Sequence, residues 1–232
     1  MLHLPQVTLI SIDTFKPQRT ADVMAQSMKW VKFAEAKLLT DQPVPKPPPG
    51  LQIVRHSHDD KHFQNIPGSH ATTLGYEWSI LTELHKHVRT SHLLLQEWDS
   101  AVLNPDAWDD GWLKYSYIGA PWCDHHDSGW PPCTEANNVG NGGFSLRSRK
   151  FCELVSDAAY EHKNDPGLAS SDRWICRSIR PWLEREGMRF APESIARRFS
   201  AENVVYTGQF GFHGRQTAAL NGWGAWLAHV RP

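Results

Sequence analysis

Leu93-Leu94-Leu95-Gln96-Glu97-Trp98-Asp99 is an apolar run that ends in two carboxylates spaced i, i+2. From Ser91 to Gln96 it reads as a buried strand running straight into the acids. In a doubly wound sheet, ligands bind beyond the carboxyl ends of the strands. Hard divalent cations take oxygen ligands in such places and share them with substrate phosphates. One carboxylate on a metal and the other on a sugar or ribose is a reasonable division of labour for this pair. The plain alternative is that acids end many strands because loops are wet, and the pair alone does not separate the two.

Working outward toward the N-terminus, Val7-Thr8-Leu9-Ile10-Ser11-Ile12 is a β-branched run ending at Asp13, and it reads as a first buried strand. Apolar residues at helical spacing (Val23, Met24, Met28, Val31, Phe33, Ala34, Leu38) predict a helix over Thr20 to Leu39, with Thr20 as cap. Lys37 to Asp41 reads alternatively as a second strand. Strand, helix, strand is the opening of a βαβ fold. Pro43 to Pro49 is a proline-rich loop. Leu51 to Val54 is a weak strand, and Tyr76 to Val88 looks helical. His56 to His70 is polar and irregular. Its His56, His58, His62 and His70 suit an acceptor loop or a merely exposed one.

On the C-terminal side, Tyr115 to Ala120 reads as a strand and Cys123 to Asn138 as a loop. Gly142 to Leu146 is short and extended, followed by a helix over Lys150 to Ala159. Ser171 to Arg185 reads as one amphipathic helix. The tail from Gly208 is rich in glycine and aromatic residues. There is no internal repeat and no long linker, so residues 1–232 are expected to form a single α/β domain.

Composition narrows the function classes. With 40% hydrophobic residues the chain can build a real core, and a formal net charge of -1 argues against a general nucleic-acid binder. The 11 tryptophans exceed ordinary core needs and suit stacking on sugar faces, although packing is the plainer role for any one of them. Cys123, Cys133, Cys152 and Cys176 are too few for a disulfide framework in a chain of this size. No apolar stretch approaches the ~18–20 residues that span a bilayer. The opening Met1-Leu2-His3-Leu4-Pro5-Gln6 lacks a basic n-region and a cleavable apolar segment. The expected setting is the cytoplasm, with reduced thiols, either free or held at the inner membrane surface by a partner.

Three further constellations carry chemistry. Asn138-Val139-Gly140-Asn141-Gly142-Gly143-Phe144-Ser145-Leu146-Arg147 packs glycines and asparagines before a β-like run, which points to close backbone approach in a turn or at a ligand. Ser170-Ser171-Asp172 opens a helix and is either a cap or the carrier of a catalytic base. Phe210-Gly211-Phe212-His213-Gly214 holds a histidine between small residues, free to reach a metal or simply structural.

Leu94 to Asp99, Tyr117-Ile118-Gly119-Ala120-Pro121-Trp122, the block from Val139 to Arg147, the Ser171-Asp172 helix start and Phe210 to His213 occur in this order. Together, over roughly residues 7–215, they resemble an uncharacterised bacterial and fungal domain family assigned to the GT-A glycosyltransferases. The resemblance implies an α/β, Rossmann-like fold: a mixed, mostly parallel central sheet flanked by helices. It implies Mn²⁺ or Mg²⁺ as cofactor and a nucleotide-sugar donor, with a UDP-sugar as the expected one. It implies a hydroxyl of a glycan or glycolipid as acceptor. Asp99 matches the metal-binding acid of the D-x-D-like motif, and Glu97 its first position, with Trp98 between them at the nucleotide. His213 matches the C-terminal histidine that completes the metal site. Asp172 matches the base that deprotonates the acceptor in inverting members, though Ser171 stands where Glu is usual. Thr8, Ser11 and Asp13 fall near the nucleobase. Trp122, Asn141, Gly142 and Gly143 fall at the sugar.

Other readings are a non-catalytic carbohydrate-binding module built on the tryptophans and a metal-dependent nucleotide hydrolase using Glu97, Asp99 and His213. No G-x-x-x-x-G-K-[ST] run is present, which weighs against a P-loop enzyme. Cys123, His125, His126 and Cys133 contain zinc-type ligands, but without the paired spacing of structural zinc sites.

Overall fold

The computed structural model describes residues 1–57, 71–122 and 137–223. A six-stranded sheet forms the centre. Its strands are β1 (Leu2–Ile12), β2 (Val31–Thr40), β3 (Leu51–Arg55), β4 (His92–Gln96), β6 (Tyr117–Ile118) and β7 (Phe144–Ser148), in the order β3-β2-β1-β4-β7-β6. The pairs β3/β2, β2/β1 and β1/β4 are parallel, and β7 runs antiparallel to both of its neighbours. A small sheet, β5-β9-β8, joins Ser100–Val102, Gly211–His213 and Ser200–Ala201.

Both faces of the central sheet are covered. Ile10, Ile12, Leu93 and Leu95 pack on one side with Trp78, Leu81, Phe151, Val155 and Trp174. Val7, Leu9 and Leu94 pack on the other with Met24, Trp112, Phe144, Phe199 and Phe210. Alternate residues of one strand thus enter opposite cores, which is why Leu93-Leu94-Leu95 is continuously apolar. Each such leucine contributes about 1.5–3 kcal/mol on burial. The helices of these layers are α1 (Pro17–Trp30), α2 (Ala71–Thr82), α3 (Arg149–Glu161), α4 (Ser171–Arg173), α5 (Arg180–Arg185), α6 (Glu193–Phe199) and α7 (Arg215–Leu220). Among the described residues, no helix is long and apolar enough to cross a membrane.

Several boundaries depart from the sequence reading. The expected helix over Thr20 to Leu39 stops at Trp30, and the chain continues directly as β2. Pairing of Val31 to Leu39 with β1 overrides the helical spacing there. Thr20 is not the cap: it lies inside α1 and donates to Asp13 Oδ2 at 2.5 Å. β1 begins at Leu2, and its register with β2 shifts between Leu4 and Thr8. Pro5, lacking an N–H for the ladder, lies within that irregularity. The helix expected from Tyr76 to Val88 starts earlier and ends at Thr82, followed by a 3-10 turn, Leu84–His87. The extended residues of Tyr115 to Ala120 reduce to β6. Ser171 to Arg185 is not one helix. A π turn, Trp174–Ser178, separates α4 from α5, with the Ile179 amide donating to Trp174 O at 3.0 Å, five residues back. Pro181 has no amide to continue the regular ladder. The possible zinc ligands Cys123, His125, His126 and Cys133 lie outside the described residues, as do His58, His62 and His70.

Candidate active site

The chain leaves β4 at Gln96, and the Glu97 amide donates to Gly143 O at 2.8 Å. Ser100 closes the turn onto Glu97 O at 3.2 Å, and β5 begins there. β5 pairs antiparallel with β9 and sets His213 opposite Ser100. The Gly214 amide donates to Asp99 O at 3.0 Å. Two acids at a strand end thereby meet a histidine from near the other end of the family-like region. Ligand atoms of Glu97, Asp99 and His213 lie within 4.8 Å of one another. His213 Nε2 is 3.5 Å from Glu97 Oε2 and 3.5 Å from Asp99 Oδ1.

Each of the three is held from behind. The Tyr76 hydroxyl donates to Glu97 Oε1 at 2.6 Å. His213 Nδ1 is 3.0 Å from Glu202 Oε2. Gly143 makes room for the imidazole: a Cβ at this position would lie 2.1 Å from His213 Nε2. Burial works against a charged His213, yet Glu202, Asp99 and Glu97 outweigh it and hold its pKa well above the usual value. Burial likewise opposes the Asp99 carboxylate, but His213 and Arg19 keep its pKa below the usual range. Glu202 is pushed up by burial, with His213 opposing.

These groups fit a divalent cation. Asp99 Oδ1 is buried without a hydrogen-bond partner, although a buried carboxylate oxygen ordinarily has one. The donor set of two carboxylates and one imidazole suits Mn²⁺ or Mg²⁺.

Asp172 stands on another wall of the same cavity. That cavity holds about 90 Å³ and is lined by Glu77, Glu97, Asn141 to Gly143, Arg147, Asp172 and His213, among others. Asp172 Oδ1 accepts from the Ser170 hydroxyl at 3.1 Å and the Arg173 amide at 2.7 Å. Burial raises its pKa. Glu77, which sequence reasoning passed over, accepts from the Ser171 amide at 2.9 Å. Burial pushes its carboxyl up to about 7. Arg147 is buried, its Nε donating to Ser145 Oγ at 2.9 Å and its Nη2 without a partner. Cys152 and Cys176 are free and buried, their thiols pushed up to about 12 by burial.

The structure thus brings Glu97, Asp99, His213, Asn141, Gly142, Gly143 and Asp172 together. It does not bring in every expected residue. The Thr8 hydroxyl bonds Thr90 Oγ1 at 2.7 Å, ahead of the start of β4 and away from its carboxyl end. Asp13 is engaged locally: Oδ1 accepts from the Phe15 and Lys16 amides at 2.8 Å each, and Oδ2 accepts from Thr20. Ser11 is buried, and its hydroxyl finds no partner. Trp98 lies next to the acids, with the Arg19 guanidinium stacked 3.7 Å from its ring. Trp122 is turned to packing. Its ring edge fills the place a Cβ of Gly140 would take, at 1.9 Å, and the Arg177 guanidinium lies 4.4 Å from its centroid. Tyr76, Glu77, Glu202 and Arg19 are the site residues that no motif marked.

This is the architecture of the GT-A glycosyltransferases: a mixed, mostly parallel sheet flanked by helices, with acids leaving a central strand. The chain is similar to the galactosyltransferase LgtC in complex with donor and acceptor sugar analogs, with a TM-score of 0.55 and 12% identity over 96% of this chain and 95% of that one. An active-site mutant of LgtC gives a TM-score of 0.53 and 13% identity over 95% of each chain. The apo-form glycosyltransferase GlyE of Streptococcus pneumoniae TIGR4 gives 0.51 and 11% over 98% of this chain, which spans 60% of GlyE. At these identities the likeness defines the fold. In sequence, residues 56–213 match the family described as protein of unknown function DUF5672, and the chain belongs to that family. No curated protein sequence matches the chain.

Proposed function

We propose that the protein is a metal-dependent glycosyltransferase that moves a sugar from a nucleoside-diphosphate sugar, with a UDP-sugar as donor, to a hydroxyl of a glycan or glycolipid, with inversion, in the cytoplasm or at the inner membrane surface. The observation that carries the reading is the convergence of Glu97, Asp99 and His213 at the carboxyl end of β4, with Glu97 and His213 lining one cavity with Asp172. Asp99 and His213 would hold Mn²⁺ or Mg²⁺, with Glu97 beside them. When bound, such an ion supplies Lewis-acid stabilisation of the departing diphosphate.

The chain's own groups do the rest. Tyr76 fixes one oxygen of Glu97, and Glu202 fixes the imidazole of His213. Asp172 has Oδ1 occupied by Ser170 and Arg173, which leaves Oδ2 to take a proton. Its raised pKa makes it a stronger base than an exposed aspartate. The acceptor O–H gives its proton to Asp172 Oδ2 as its oxygen bonds the anomeric carbon and the bond to the diphosphate breaks. Asn141, Gly142, Gly143 and Arg147 line the space beside these groups and are assigned to positioning the sugar.

The test is calorimetry with UDP and other nucleoside diphosphates, with and without Mn²⁺, followed by a screen of nucleotide sugars for turnover. Metal-dependent binding of one nucleotide is expected. If no nucleotide binds in either condition, the assignment is sunk.

A further inference from the structure

A second cluster of metal-type side chains lies outside this cavity, at the carboxyl end of α2. His56, Glu83 and His87 each present one ligand atom, and the three atoms lie within 4.8 Å of one another. They come from separate elements that the backbone fixes. The His56 amide, just past β3, donates to Thr40 O at 3.0 Å. The Glu83 amide, just past α2, donates to Ser79 O at 2.9 Å. The His87 carbonyl, at the end of the 3-10 turn, accepts from Lys37 Nζ at 2.8 Å.

One of the imidazoles has its tautomer set. The Ser79 hydroxyl gives its proton to Gly75 O at 2.8 Å, so toward His56 Nε2, at 2.9 Å, it accepts. Nε2 therefore carries the hydrogen, and Nδ1 is the nitrogen with the lone pair. An outer partner that fixes the ring this way is the usual companion of a metal-binding histidine. The carboxyl end of a helix also favours a cation.

The donor set distinguishes this cluster from the one in the cavity. Two imidazoles and one carboxylate suit a borderline ion, where two carboxylates and one imidazole suit a hard one. Two lysines lie nearby. Lys86 Nζ contacts Glu83 Oε1 at 2.7 Å, but its side chain is 43% exposed and can release the carboxylate to an incoming ion. Lys37 is balanced by Glu35 at 2.8 Å.

We propose that His56, Glu83 and His87 bind Zn²⁺, with water in the fourth position, and so tie the edge strand β3 to the end of the helix that carries Glu77 into the active-site cavity and Tyr76 to Glu97.

The test uses the full chain, stripped with chelator and titrated with Zn²⁺, with bound metal counted by atomic absorption. His87→Ala should hold one fewer Zn²⁺ per chain than the parent. Asp99→Ala should keep this zinc, which separates it from the cavity. Ser79→Ala removes no ligand but frees the tautomer, and should weaken the same binding step about 10- to 100-fold. Glu83→Gln should weaken it at least as much, and it decides the matter should His87→Ala fail to fold. Co²⁺ in place of Zn²⁺ should give a visible band that His87→Ala loses and Asp99→Ala keeps. Equal metal counts and affinities in folded His87→Ala, Glu83→Gln and parent would overturn the proposal.

Discussion

Gly143→Ala tests the proposed metal site through packing, without touching a ligand. The new methyl would sit 2.1 Å from His213 Nε2, 2.5 Å from Cδ2 and 2.7 Å from Cε1, where ordinary contact begins at 3.4 Å. The ring must therefore shift by about 1.3 Å, the difference between 3.4 and 2.1 Å. The backbone of Gly143 has little freedom to retreat, because its carbonyl accepts from the Glu97 amide at 2.8 Å and from Ser100 Oγ at 3.1 Å. Glu202 holds the ring from the other side at 3.0 Å. Metal–nitrogen distances tolerate only about 0.2 Å, so a shift of this size takes the imidazole out of range. Disturbing the groups that orient a metal ligand costs ~10–100-fold in affinity, or about 1.4–2.7 kcal/mol, and this variant should lose at least that. The assay is calorimetry of Mn²⁺ with and without UDP, beside a thermal melt. A variant that melts like the parent and binds Mn²⁺-UDP with unchanged affinity would refute His213 as a ligand.

Asp99→Ala should abolish the Mn²⁺ dependence of nucleotide binding, and calorimetry that still shows it would count against Asp99. Asp172→Asn keeps the shape but cannot take a proton. It should spare donor binding and lower transfer by roughly 10²–10⁴-fold, read as product formation at saturating donor. Glu77→Gln should stabilise the fold in a pH-dependent way. Folding raises this carboxyl from 4.5 to about 7, so its ionisation costs nothing below pH 4.5 and destabilises fully above pH 7. By denaturant melts, the variant should gain up to about 3 kcal/mol over the parent at pH 8 and nothing at pH 4. A gap independent of pH would remove Glu77 as a buried titrating group.

Much of the framework was legible. A strand buried on both faces must be continuously apolar, so β4 and the exit of Glu97 and Asp99 stood out in the sequence. Other features hid because they depend on pairing at a distance. Nothing marks the boundary between Trp30 and Val31, with no glycine or proline there, and only the ladder to β1 decides it. Tyr76 and Glu77 sit in a helix whose rotation about its axis is set by packing. Glu202 is one acid in an ordinary loop until β8 and β9 bring it to His213. Trp122 suits a sugar platform in sequence, and only the folded chain shows its ring edge against Gly140 and the Arg177 guanidinium beside it.

The three-stranded sheet has a consequence for synthesis. Its pairing of Ser100 with His213 joins residues 113 apart in the chain (213 − 100), whereas the parallel pairings among β1, β2, β3 and β4 all lie within the first 96 residues. A nascent chain can therefore zip its parallel strands well before the histidine exists, and closing the longer loop costs little extra entropy once it does. The Glu97-Asp99-His213 cluster is then a late arrival, absent from any chain shorter than 213 residues. Mn²⁺ that binds only the completed cluster stabilises the finished molecule alone, so Mn²⁺ in the refolding buffer should act on the closing step and leave the early sheet untouched.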